Sequence, residues 1–152
     1  MSYLKALFFL IFLVLISCNE NSKEASKEQT IHPKVDSLYK LVVAKHDEVM
    51  PKTADISKLI KILRDKLSIV KNEIDKEKIL NILQKLQSAH DSMFDWMGEF
   101  KGIHTNMDFY KSKSELELLK YLKDEEIKIE EVAKLMLESI ANSELYLEDI
   151  KN

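Results

Sequence analysis

Cysteine, proline and glycine are scarce here: one cysteine, two prolines and two glycines in 152 residues. A lone thiol excludes an intramolecular disulfide, a Cys-x-x-Cys redox pair and the Cys-x-x-Cys-His attachment of a c-type haem. The chain has no glycine-rich phosphate loop, no nucleophile elbow and no His-Glu-x-x-His metalloprotease motif. It also lacks the Glu-x-x-His pairs that a di-iron bundle uses. Basic residues are not in excess, with 23 Lys and Arg against 26 Asp and Glu, so nucleic acid is not an expected partner. Its longest apolar run, Ala6 to Ile16, spans 11 residues, well short of the roughly 20 that cross a bilayer as a helix. These absences point away from an enzyme.

That apolar run, preceded by Lys5 and followed by Ser17 and Cys18, reads as a secretion signal. Leu15-Ile16-Ser17-Cys18 resembles the lipobox of bacterial lipoproteins: an aliphatic residue, a tolerant position, a small residue and the cysteine. The resemblance implies cleavage before Cys18 and acylation of Cys18 by several chains of the palmitate type. One chain alone holds a protein only weakly; several make the anchor effectively permanent. The expected organisation is a signal peptide over 1–17, a lipidated Cys18 with a flexible tether over 18–32, and a helical domain over 33–152. Asn19 to Ile31 is polar and lacks aromatics, the composition of a segment that cannot bury enough surface to order itself.

The mature chain of 135 residues is long enough for one domain, and its apolar spacing is helical. Val35, Val42, Val49, Ile56, Leu63 and Val70 recur every seventh residue, with Leu38 and Leu59 on a companion position and Ile60, Leu67 and Ile74 widening the stripe. The phase runs straight through Pro51, which predicts one helix over about 34–71 kinked near Pro51; two helices meeting there is the alternative. A second helix carries Ile79, Leu83, Leu86, His90, Met93, Met97 and Phe100 as its seam, flanked by Phe94 and Trp96, and ends near Gly98 and Gly102. A third opens with Ser112 and Glu115 as a capping box. Its seam runs Leu119, Leu122, Ile129, Ala133, Met136, Ile140, Leu147 and Ile150. The expected fold is all-α: an antiparallel, coiled-coil-like three-helix bundle, with Gly102 to Lys111 covering one end of the first helix.

His46-Asp47-Glu48-Val49-Met50-Pro51-Lys52 and Met93-Phe94-Asp95-Trp96-Met97 with Phe100, taken with the lipobox, resemble small helical lipoproteins of Bacteroidetes-type bacteria. Such proteins often bear the label "viral A-type inclusion protein", which reflects generic coiled-coil similarity. The resemblance covers about residues 34–150 and implies an address and a fold, with no catalytic residue to carry over.

An antiparallel register that sets residue i on the first helix opposite 146 − i on the second places Met50 level with Trp96 and His46 level with Phe100. His46, Met50, Met97 and His104 then gather toward one end. Packing is the first reading of these residues, with His90, Met93 and Trp96 as packing or interaction positions. A soft-metal site is the second, because thioether and imidazole together suit Cu(I)-like ions. His46-Asp47 and His90-Asp91 are adjacent pairs, and neighbours on a helix project about 100° apart, so neither is expected to form a dyad. The acidic residues around Asp124, Glu125 and Glu126 are expected to form a solvated face with neighbouring lysines.

The expected function is therefore a non-enzymatic interaction or scaffold module. It is lipid-anchored through Cys18 in the cell envelope, at the outer membrane and facing the periplasm. Its partners would be the bilayer and either another protein or a second copy, and it has no cofactor. A soft-metal-binding envelope protein is the alternative.

Overall fold

A computed structural model describes residues 31–150. The predicted signal peptide, Cys18 and nearly all of the tether lie outside the described residues. Those that are described form helices and connections, with no strand among them: α1 (Pro33–Val49), α2 (Lys52–Leu67), α3 (Glu73–Glu99), α4 (Met107–Ser112) and α5 (Glu115–Asp149). The fold is all-helical, as the spacing predicts. None of these helices is long and apolar enough to cross a membrane.

Each boundary has a local cause. Proline stands at the first position of α1, where its missing N–H costs nothing. Asn72 Oδ1 accepts the Ile74 N–H at 2.9 Å to start α3. The capping box of α5 is Ser114 with Glu117, not Ser112 with Glu115. Both pairs satisfy the same spacing, so the motif alone cannot choose between them. Ser112 instead closes α4, donating its hydroxyl to Phe109 O at 2.9 Å. Extended backbone at Lys113 separates the two helices.

The kink at residues 50–51 is present and is gentle in its backbone. Met50 and Pro51 both keep right-handed helical dihedrals. Around the proline the hydrogen bonds tighten from four residues to three: Thr53 N–H donates to Met50 O at 3.1 Å and Ala54 N–H to Pro51 O at 3.2 Å. The Thr53 hydroxyl adds a second bond to Met50 O at 2.8 Å. Because rotation per residue barely changes, the heptad phase survives the break. Val35, Val42, Val49, Ile56 and Leu63 are all buried, on both sides of it. Ile74, predicted to widen this stripe, lies beyond the end of α2 and is exposed.

α3 runs antiparallel to both α1 and α5. His46 meets Met97 while Tyr39, two turns earlier, meets Phe100. Phe100 also stacks on Tyr121 near the start of α5, and Tyr146 near its end lies beside Ile74 at the start of α3. His32 and Glu115, at the starts of α1 and α5, approach to 3.1 Å. The main core runs through α1, α2, α3 and α5, with Ile56, Leu63, Ile79, Leu86, Met93, Ile129 and Met136 fully buried. A second cluster at one end joins Val35, Ile103, Tyr110, Leu118 and Leu122. The segment after α3 covers α1 there through Ile103 and Tyr110. Ile31, within the predicted tether of 18–32, also packs against this cluster.

Two stripes are rotated from the predicted seams. On α3 Ala89 and Trp96 are buried, whereas Leu83, His90 and Met97 are only partly so. On α5 Leu118, Glu125, Val132 and Ser139 form an additional buried column, and Ile150 is exposed. α3 and α5 are each approached by more than one helix, so their buried faces are wider than one seam.

Candidate functional site

His46 occupies the last turn of α1, just before the kink. Its Nδ1 lies 2.9 Å from Asp47 Oδ1, and its Nε2 lies 3.2 Å from Met97 Sδ on α3. The imidazole stacks on the Trp96 indole at 5.6 Å between ring centres, and the side chain keeps 22% of its surface exposed. The expectation that Asp47 points away from His46 is corrected. Their Cα–Cβ bonds diverge, yet the side chains bend toward each other within hydrogen-bond reach. His90 and Asp91 approach too, at 3.4 Å, where Asp91 also accepts the Gln87 amide at 2.9 Å.

The predicted register is off by one to two turns. His46 lies against Met97 and Trp96, and Tyr39 takes the place opposite Phe100 that the prediction assigns to His46. Met50 is half-buried and packs against the main core. His104 is exposed in the connection before α4, and of the four predicted metal-site residues only His46 and Met97 share a polar contact. Met93 is fully buried. His90 is half-buried and lies 4.7 Å from the Phe94 ring. Among the described residues no three His, Cys, Asp or Glu side chains converge as a metal site.

Sequence reasoning missed an aromatic cluster beside this site. Trp96 stacks on Phe100 at 4.8 Å, and Phe100 stacks on Tyr39 at 5.8 Å and on Tyr121 at 6.4 Å. Phe109 packs edge-on against Tyr110 and Tyr121. The Tyr110 hydroxyl donates to Lys101 O at 2.7 Å, and Lys101 N–H donates to the Tyr121 hydroxyl at 2.6 Å. Two phenols thus hold both polar groups of one loop residue. Burial pushes Tyr121 up to about 12, against the pull of the Lys101 N–H. Burial also raises Tyr110, with Tyr121 and Tyr39 adding to it. The tyrosines were legible only as scattered apolar positions, since their meeting depends on three separate segments.

A second feature contradicts the expected solvated acidic face. Glu125 is only 3% exposed. Its Oε1 accepts from Lys128 Nζ at 2.8 Å, while its Oε2 and the Trp96 Nε1 are buried without a hydrogen-bond partner. Trp96 and Glu125 lie one turn from Phe100 and Tyr121 respectively. With α3 and α5 antiparallel, that puts both orphan groups at one level of the core. Glu125 stands seven residues from Leu118 and from Val132, the signal that could have found it.

Farther along, a groove of about 430 Å³ between α3 and α5 is lined by Asn81, Gln84, Lys85, Ser88 and Asn142 around Ala89, Leu135 and Ser139. Its amides and hydroxyls can hydrogen-bond a ligand, but they include neither a histidine nor a cysteine. Comparison of the chain with protein-family models, with curated proteins and with solved structures finds no match.

Proposed function

We propose that this protein is a lipid-anchored envelope protein whose helical domain serves as a non-enzymatic interaction or scaffold module. In this reading Cys18 carries the acyl chains, residues 19–30 form the leash, and the domain is an up-down-up three-helix bundle with α1 and α2 as one kinked arm. The lipobox-like Leu15-Ile16-Ser17-Cys18 supports the anchor. The module reading is carried by how the described interior is used. The helices spend their apolar stripes on one another, yet large apolar side chains stay on the outside of α3 and α5: Leu80, Phe94, Leu135, Leu137 and Leu145 are each about half exposed. Each offers apolar area that a contact with another protein would bury.

A photo-crosslinking residue placed at Phe94 or Leu135 in the full chain, activated in intact cells, is expected to give one discrete adduct. Its mass distinguishes a second copy from a different protein. A smear equal to that from a control at exposed Lys61, or no adduct at all, removes the interaction role. Metabolic labelling with a palmitate analogue tests the anchor separately: the wild type should incorporate it and Cys18→Ser should not.

A further inference from the structure

We propose that His46 Nε2 and Met97 Sδ form a two-donor site for a soft monovalent d¹⁰ cation of the Cu(I) or Ag(I) class, where the end of α1 meets the end of α3. The site stands independently of the interaction role above. An ionised carboxylate is an acceptor only, so the 2.9 Å contact with Asp47 places the proton of a neutral imidazole on Nδ1. Nε2 then presents a lone pair, and the atom facing it at 3.2 Å is a thioether sulfur, which is also an acceptor. In that tautomer two electron-rich atoms face each other with no hydrogen between them. A cation between them converts that opposition into two bonds.

The donor chemistry selects the ion. Thioether favours Cu(I)-like ions, and imidazole is compatible with them, while Mg²⁺ and Ca²⁺ seek oxygen. No third His, Cys or carboxylate converges here among the described residues, which disfavours zinc, with its usual four ligands. The Asp47 carboxylate on the far ring nitrogen orients the imidazole, as carboxylates behind metal-bound histidines do. With bonds of about 2.1 Å to nitrogen and 2.3 Å to sulfur, the two donors stand roughly 3.6 Å apart at a tetrahedral angle and about 4.4 Å apart in the linear arrangement a two-coordinate d¹⁰ ion prefers. From the observed 3.2 Å, Met97 has to draw back by between about half an ångström and about one ångström, a movement within reach of its three rotatable side-chain bonds. Trp96, stacked on the imidazole, shields one side of the site and reports on it, being the only tryptophan in the chain.

A second proton on Nε2, donated to the sulfur, would relieve the same opposition without a metal, and titration with silver separates the two. The full chain carrying Cys18→Ser, so that no thiol competes, is titrated in detergent with silver nitrate in chloride-free buffer at neutral pH. One Ag(I) per chain should bind, with a change in Trp96 emission and a shift of the His46 Nε2 resonance. Met97→Leu, which keeps the packing, should weaken binding at least about tenfold with unchanged helical circular dichroism, and His46→Gln should do the same. Should His46→Gln fail to fold, Met97→Leu decides alone. Absence of silver binding, or affinity unchanged within about twofold in Met97→Leu, overturns the site.

Discussion

At the scale of single residues, Glu125 is the side chain whose surroundings agree least with its chemistry. One oxygen is bonded to Lys128 and the other has no partner in the core. A buried ion pair is weak support for a fold, because desolvation offsets the attraction, whereas stripping one partner leaves a charge stranded. Lys128, held above the usual lysine range by its bond to Glu125, is the half-exposed partner. Replacing Glu125 by leucine removes the stranded oxygen and leaves the Lys128 ammonium free to reach water. Glu125→Leu is therefore expected to be neutral or to stabilise by about 1–4 kcal/mol. Lys128→Ala is expected to cost about 1–3 kcal/mol, the penalty of an unsatisfied buried acceptor. Urea unfolding midpoints compared with the wild type measure both. A Glu125→Leu variant weaker than Lys128→Ala would mean that the carboxylate contributes net stability.

At the scale of the element, α5 depends on its first turn. Its 35 residues begin only two residues after α4 ends, with no intervening core residue to hold the start in place. The capping box does so. Glu117 is held down to about 2, first by the Ser114 N–H, then by the Ser114 hydroxyl and Lys113. An unrestrained carboxyl titrates near 4.5, so the unfolded chain takes up the proton before the folded one does. The stabilisation is complete above about pH 4.5 and is lost as the pH falls toward 2. Ser114→Ala should cost about 1 kcal/mol. It should also flatten the pH dependence of amide exchange in residues 115–118 across that window. Equal acid sensitivity in wild type and variant would show that the box does not set this end of the helix.

At the scale of the whole molecule, the tyrosine cluster joins what chain order separates. Tyr39 comes from α1, Phe100 from the end of α3, Tyr110 from α4 and Tyr121 from α5, so one cluster ties four segments at one end of the domain. The Tyr110 and Tyr121 phenols stay neutral well above the ordinary tyrosine range because burial disfavours phenolate. The folded form thus keeps protons that the unfolded chain has released. The cluster's contribution is intact below about pH 10 and falls as the pH climbs through 12. Helical signal is expected to fall cooperatively across that range, with tyrosinate absorbance from Tyr110 and Tyr121 appearing together with the loss. A Tyr110→Phe/Tyr121→Phe variant should lose less stability over the same interval. Ionisation of both tyrosines near pH 10 with the helices intact would show the cluster to be open to water.

Much of this architecture follows from spacing alone. The heptad of Val35 to Leu63 determines an apolar face that persists across Pro51, because a proline with helical dihedrals removes a hydrogen bond without changing the angular phase. The all-helical class, the kink and the cover supplied by Ile103 and Tyr110 were readable on that basis. Three things were not. Which column of α3 turns inward depends on where α1 and α5 lie, and adjacent columns differ by only about 50°; hence Trp96 moved from flank to core. The register between α1 and α3 slid by one to two turns, since neighbouring apolar positions three or four residues apart offer nearly equivalent contacts. That slide, which no pattern within one helix encodes, set His46 against Met97 instead of Phe100. The burial of Glu125 depends on what packs against α5, which no pattern within that helix describes. The sequence by itself determined which residues can face a core and where helices must bend or begin, because those follow from backbone geometry. Only the tertiary structure decided which side chains meet, because contact between helices depends on rotation and sliding that a one-dimensional period leaves free.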